Sequence, residues 1–541
     1  MVTMMRRENR LVLAHVYTAT AALTLGGVFG LLQALSRAHW AHAPAWFDYY
    51  RMLTAHGVLM AIVFTTFFIC GFAMFGVYRA MPRERSLTLS WIAYGVMLAG
   101  TLAAFWAIVT GNATVLYTFY APLKAHPAFY IGTTVLVIGT WLVLIDIIAN
   151  IIAWRKEHVG ELLPLIVHGI ACTFAMWFIA TIGVAIEMLF MLIPWSLGWT
   201  PTINVMLSRM LFWYFGHPLV YFWIMGAYLI WYNVVPKFYN GTVFSDALTR
   251  LTFILLVLLS TPVGIHHEFT EPGISAGWKW LHTMTTYGVI VPSIMTAFAI
   301  FASFEIAARR KGRRGFFGTI AALPWSKPWF TGPAFGMLLF IFGGFGGVVN
   351  ASYSMDELVH NTMWIVGHFH ITVGGPVALT FIGAAYWLVP RLTGRKLWGE
   401  KLALAQTYSW FVGMAIMSTA MHWAGLLGSP RRTADVTYFG AEAARLWMPE
   451  TIATAVGGSI LFLSILMFVA VAIGTLFSRE REEMAVEFAP VDEAAMRTPA
   501  SLDKVATWAV VAVVLAILAY AGPMHELLSQ HIYGAPGMRT W

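Results

Sequence analysis

The chain has 541 residues, 59% of them hydrophobic and only 11% charged, with a mean hydropathy of +0.72. A soluble domain carries about 25% charged residues, so a water-soluble enzyme is excluded. A nucleic-acid binder is excluded too, because the net charge of +8 comes from few residues spread over short loops.

The apolar runs are unbroken rather than alternating, which points to an all-α polytopic membrane bundle and not a barrel. A spanning helix needs about 20 apolar residues. Thirteen runs meet that need: 12–35, 50–78, 88–110, 128–153, 163–193, 205–235, 248–265, 281–307, 333–350, 360–389, 403–426, 450–477 and 503–523. The first follows MVTMMRRENR without an A-x-A cleavage site and reads as a retained span. No repeat or linker interrupts the chain, which reads as a single integral-membrane domain over 1–541. The charged stretch 479–497 reads as a solvated loop.

Basic residues set the orientation. Arg6, Arg7 and Arg10 precede span 1, and every even-numbered span ends in a basic loop, the densest being Arg309–Arg314 after span 8. The opposite loops carry scattered charge such as Arg37, Lys124 and Lys279. The expectation is an N-terminus in the cytoplasm and a C-terminus outside, in a prokaryotic cytoplasmic (inner) membrane. Cys70 and Cys172 both fall in apolar runs, so any metal must be held by histidine.

Six histidines then fall at one depth, in the outer half of the membrane. His56 lies in span 2, His217 in span 6, His266 and His267 at the end of span 7, and His368 and His370 in span 10. One buried imidazole is as readily a core residue as a ligand. Six in one slab are not, because polar groups in hydrocarbon are costly. His368 and His370 are two residues apart, so they point about 200° apart and serve different cofactors. His266 and His267 are adjacent at a helix end, where irregular backbone can aim both at one ion. His217 and Tyr221, four apart, share a helix face. Imidazole suits copper and haem iron. The count suggests a copper held by three histidines, one five-coordinate haem and one six-coordinate haem.

These residues lie in WYFGHPLVYFW (213–223), GIHHEFTEPG (264–273) and NTMWIVGHFHITVG (361–374), with AHGVLMAIVF (55–64) and SPRRT (429–433) beside them. Together they resemble subunit I of the heme–copper oxygen reductases, and most closely the B family, the ba-type oxidases. The resemblance covers nearly the whole chain. It implies a twelve-span haem and copper core plus one additional C-terminal span at 503–523. It makes His56 and His370 the axial ligands of a low-spin, b-type haem and gives His368 the high-spin, a-type haem. It gives one copper ion to His217, His266 and His267, with Tyr221 joined to His217 and catalytic in O–O cleavage. Arg431, Arg432, Asp356 and His360 are the implied haem-propionate partners.

The resemblance further implies O2 reduced to water with proton translocation, and a single proton path through Tyr228, Tyr232, Ser293 and Thr296. Two departures stand out. Leu219 replaces a glutamate that other families carry, which favours the single-path B type. Ala299 stands where the path has a third hydroxyl, leaving water or Ser303 to bridge. Glu187, deep in span 5, is a further candidate for water or proton exit, or a helix-to-helix hydrogen bond. Partners expected are a subunit II carrying a binuclear copper centre, cytochrome c or a small copper protein as donor, a small single-span subunit and the lipid membrane. Two alternatives compete: a nitric-oxide reductase of the same superfamily, disfavoured by Tyr221 and Leu219, and a cofactor-free secondary transporter, which leaves the histidine slab unexplained.

Overall fold

The computed structural model describes residues 2–541 except 43, 45, 483, 493–496, 531 and 532. Among the described residues, thirteen main helices follow one another: α1 Val2–Arg37, α2 Tyr49–Ala80, α3 Thr88–Val109, α4 Pro127–Glu157, α5 Leu165–Ser196, α6 Val205–Asn233, α7 Asp246–Ser260, α8 Ala276–Arg310, α9 Pro328–Ala351, α10 Met363–Thr393, α11 Glu400–Leu426, α12 Met448–Phe477 and α13 Val505–Ser529. Eleven of these stretches are apolar and long enough to cross a membrane, α7 only together with the turn that follows it, as Asp246–Glu268. The other two, α6 and α11, have spanning lengths of 29 and 27 residues but carry polar groups such as His217, Tyr221 and Gln406. The thirteen match the thirteen apolar runs.

Side-chain caps fix several starts. Asp48 accepts from the amides of Tyr50 and Arg51 at the head of α2. Asn204 accepts from Leu207 N–H at 3.0 Å to open α6, and Ser245 and Thr362 do the same for α7 and α10. Each satisfies an amide that the first helical turn leaves without a partner.

Helices α2, α5 and α10 each contain a wide π-helical stretch, at Val58–Phe64, Met188–Leu192 and His370–Ala378. Such turns add a residue and swing the side chains that follow, and they concentrate at functional sites. Those in α2 and α10 begin two residues after His56 and at His370 itself. In α10, Pro376 has no N–H to give, which a wide turn tolerates.

Helix α7 is short. Its 15 residues rise only about 22 Å, so the chain leaves regular helix before crossing and turns into a 3-10 segment, Ile265–Glu268. His266 and His267 sit on that segment.

The two ends of the bundle differ. At the end that holds the N-terminus, Arg79 and Arg85 pair with Glu8, and Lys396 pairs with Glu480. The stretch after α12 departs from its reading as a solvated loop. Residues 479–482 and 484–492 lie across this end as a strap, with Ala489 N–H donating to Asn233 O and Val491 bridging to Val243. Val486, Phe488, Ala489 and Val491 pack on the core. These apolar residues between the charges are the physical reason. Residues 483 and 493–496 of that stretch lie outside the described residues.

At the other end the C-terminal tail forms two short pairings. β1 (Leu123–Lys124) runs parallel to β4 (Met538–Arg539), and β2 (Ile203–Asn204) antiparallel to β3 (Gly534–Ala535).

Candidate metal centre

His56 and His370 face each other across an apolar cavity of about 250 Å³ lined by α1, α2, α10, α11 and α12. Their rings are 6.0 Å apart and 11° from parallel. Each Nδ1 is tied to a backbone carbonyl at 2.8 Å, His56 to Gly26 and His370 to Val366. That fixes both tautomers and leaves both Nε2 atoms pointing inward. Two imidazoles sharing one iron at bonds of about 2.0 Å place their ring centres about 6 Å apart. The pair fits a six-coordinate haem.

The cavity mouth is cationic. Arg431 and Arg432 line it, and so does Arg37, which donates to Tyr49 Oη at 3.3 Å and Thr433 O at 3.2 Å. Arg432 stacks over Tyr117 and Tyr120, and its Nη2 is buried without a partner. An unanswered guanidinium at the mouth suits a carboxylate. Arg431 donates to Asn361 Oδ1 at 2.7 Å. Withdrawal from water, then the neighbouring Arg432, pulls its pKa down to about 10. His360 Nδ1 donates to Asp356 at 2.7 Å, and burial raises the Asp356 pKa against that bond.

His217, His266 and His267 form one cluster whose ligand atoms all lie within 4.8 Å of one another. His217 Nδ1 is 3.0 Å from His267 Nε2. Tetrahedral bonds of about 2.0 Å separate ligand atoms by about 3.3 Å, so one ion fits between them. His266 Nδ1 lies 3.0 Å from Thr286 Oγ1, leaving its Nε2 for the ion. Trp213, one turn before His217, stacks flat on His267 at 3.7 Å. Tyr221 lies beside His217, their ring centres 4.8 Å apart, and His217 Nε2 is buried without a partner.

His368 leaves α10 on the other side from His370. It presses on the glycine-rich face of α9, where a Cβ on Gly346 would lie 2.9 Å from its Nδ1. This is the separation that two-residue spacing on a helix dictates.

Towards the N-terminal end, Tyr232 Oη donates to Thr296 at 3.0 Å. Tyr228 Oη is buried without a close partner, with the hydroxyls of Thr296 and Ser293 in its neighbourhood. Ala299 is buried, and Ser303 bonds Tyr239 Oη at 3.1 Å rather than reaching back. Glu187 accepts from Ser208 Oγ at 2.7 Å, a helix-to-helix bond between α5 and α6, and its second oxygen has no partner.

Sequence reasoning missed Arg37, Thr286 and the backbone carbonyls that orient the histidines. Trp213 carried a signal, standing four residues before His217 on one face.

The cytochrome c and quinol oxidase polypeptide I family matches residues 10–460. Cytochrome c oxidase subunit 1 of Thermus thermophilus is 40% identical over 99% of this chain and 97% of that one. The heme-copper oxidase subunit I+III of Aeropyrum pernix is 27% identical over 78% of this chain and 51% of its own length. A cryo-EM structure of a heme-copper terminal oxidase dimer superposes with a TM-score of 0.94 at 37% identity, covering 98% of this chain and 95% of that one. The transporter reading is set aside. The chain belongs to the subunit I family of heme–copper oxidases, in its B-family form, and is the catalytic, oxidoreductase subunit of a terminal oxidase.

Proposed function

We propose that His56 and His370 hold a low-spin b-type haem, that His368 holds a high-spin a-type haem, and that His217, His266 and His267 hold one copper ion. The parallel His56–His370 pair, 6.0 Å apart across an apolar cavity, carries this reading. The bound metals supply electron storage and oxygen binding. The protein's part is to orient ligands, exclude water and move protons.

Tyr221 stands beside His217 with its hydroxyl able to give up a proton when the O–O bond breaks. Replacement protons reach it from the N-terminal end through Tyr232, Thr296, Tyr228 and Ser293. The Tyr232–Thr296 bond supports that order. The gap at Ala299 is crossed by water, with Tyr239 and Ser303 below it. Arg431, Arg432, Asp356 and His360 face the haem propionates, and Glu187 lies on the exit side. Leu219 leaves no carboxylate on α6 for a second route. The chain sits in a prokaryotic cytoplasmic membrane with the basic end inside. Oxygen reduction is coupled to proton translocation across it. Electrons arrive from cytochrome c or a small copper protein through a subunit II bearing a binuclear copper centre, because the two cysteines here are buried and unpaired.

The test is gas uptake by the purified complex with reduced cytochrome c. The reading predicts four electrons consumed per O2 with no peroxide released. Uptake of NO without uptake of O2 would move the chain to the nitric-oxide reductases.

A further inference from the structure

The metal-bearing segment Ile265–Glu268 is a single 3-10 turn between α7 and α8, so the continuous helices do not hold it. Its support comes from α13. Pro523 lies inside α13 and has no N–H, which leaves the carbonyl of Ala519, four residues earlier, without its helical donor. His282 Nε2 lies 3.2 Å from that carbonyl, and His282 Nδ1 lies 3.4 Å from the amide nitrogen of Ile265. Only the tautomer protonated on Nε2 serves both, donating to Ala519 O and accepting from Ile265 N–H. One buried imidazole thus joins α13 to the first residue of the turn.

Neighbouring contacts act in the same direction. The ring of Tyr520 stands edge-on to His282 at 5.0 Å. Its hydroxyl lies so close to Gly264 that a Cβ there would collide with it. One helical turn beyond His282, Thr286 donates to the His282 carbonyl, so its oxygen accepts from His266 Nδ1. Helix α13 is itself pinned at both ends. Asp503, just before it, pairs with Arg250 at 2.8 Å and with Arg155. Glu526 accepts from Trp278 Nε1 and from Ser275 N–H at the head of α8, both at 3.0 Å.

We propose that α13 is a brace for the copper-binding turn and that His282 is the positioning residue that transmits it. The proposal rests on the assignment of His217, His266 and His267 to copper. It gives the additional C-terminal span a role in building the oxygen site.

The test uses the intact complex carrying His282→Gln, His282→Asn or His282→Leu. Copper per iron is measured after exposure to a chelator, and the low-spin haem spectrum is recorded alongside. Glutamine carries both a donor and an acceptor and spans both partners, so His282→Gln should retain copper. The Leu and Asn variants should lose copper affinity by about tenfold or more with the low-spin haem unchanged. Parent-like copper in the Leu or Asn variants, or a Gln variant as depleted as Leu, would overturn the brace. If the Leu variant does not assemble, the Gln and Asn pair decides. A parent complex without copper would overturn the metal assignment, and the brace with it.

Discussion

The two histidine sites are built differently. His56 and His370 stand on long continuous helices, and each is steered by one carbonyl, Gly26 or Val366. Their separation already matches a shared iron. The trio proposed to hold copper combines one helical residue, His217, with two on a short irregular turn. Thr286, Trp213 and His282 touch it, or the turn that carries it, from outside. An electron carrier gains from a rigid, pre-set ligand pair. A site proposed to admit O2 gains from an open coordination position, and a set of three ligands leaves one.

Substituting a ligand on either side breaks this comparison most sharply. His56→Ala should abolish the six-coordinate haem spectrum while copper stays near one per chain. His217→Ala should do the reverse. Loss of both cofactors in both variants, read by spectrum and elemental analysis, would show one cooperative site instead of two.

Tyr221→Phe should leave both haems and copper in place and lower O2 turnover by about 100-fold or more, the scale of a lost proton donor. Parent-like turnover would remove Tyr221 from the chemistry.

Asp503→Asn tests the anchoring of α13 from its far end. Burial raises the Asp503 pKa, but the nearby His168 imidazole and the Arg155 guanidinium outweigh it, so the folded pKa is lowered. A lowered carboxyl pKa contributes stability above the unfolded value, lost as pH falls through the folded one. The variant should therefore lose about 3 kcal/mol at neutral pH, the scale of breaking a buried ion pair. The gap to the parent should close as the pH drops below about 4. Thermal denaturation across pH reads this, and a gap independent of pH would contradict it.

The smallest effect is expected at Gly30, where a Cβ would lie 2.7 Å from His56 Nδ1. Gly30→Ala should tilt that ring and shift the low-spin haem band without touching copper. An unshifted band would mean that the Gly26 carbonyl alone sets the ring.

The spans and six of the histidines were legible because lipid makes both conspicuous: apolar runs must be long, and imidazoles there are costly. The opposite directions of His368 and His370 followed from helix geometry alone. What could not be read were partnerships across long sequence separations. His282 meets Ala519 from 237 residues away, and nothing in its local pattern marks it. Arg37 reads as scattered loop charge, yet it is buried at the haem cavity. The strap after α12 was hidden because its charges dominate its composition while apolar residues such as Val486, Phe488 and Val491 do the packing.

The account stands most directly on the metals. Optical spectra of the purified complex, oxidised, reduced, and reduced with CO, should be taken together with elemental analysis. The account predicts two haems per chain, one six-coordinate and one that binds CO, with one copper held in this subunit. A third iron in place of copper, or a complex with no six-coordinate haem, would contradict it.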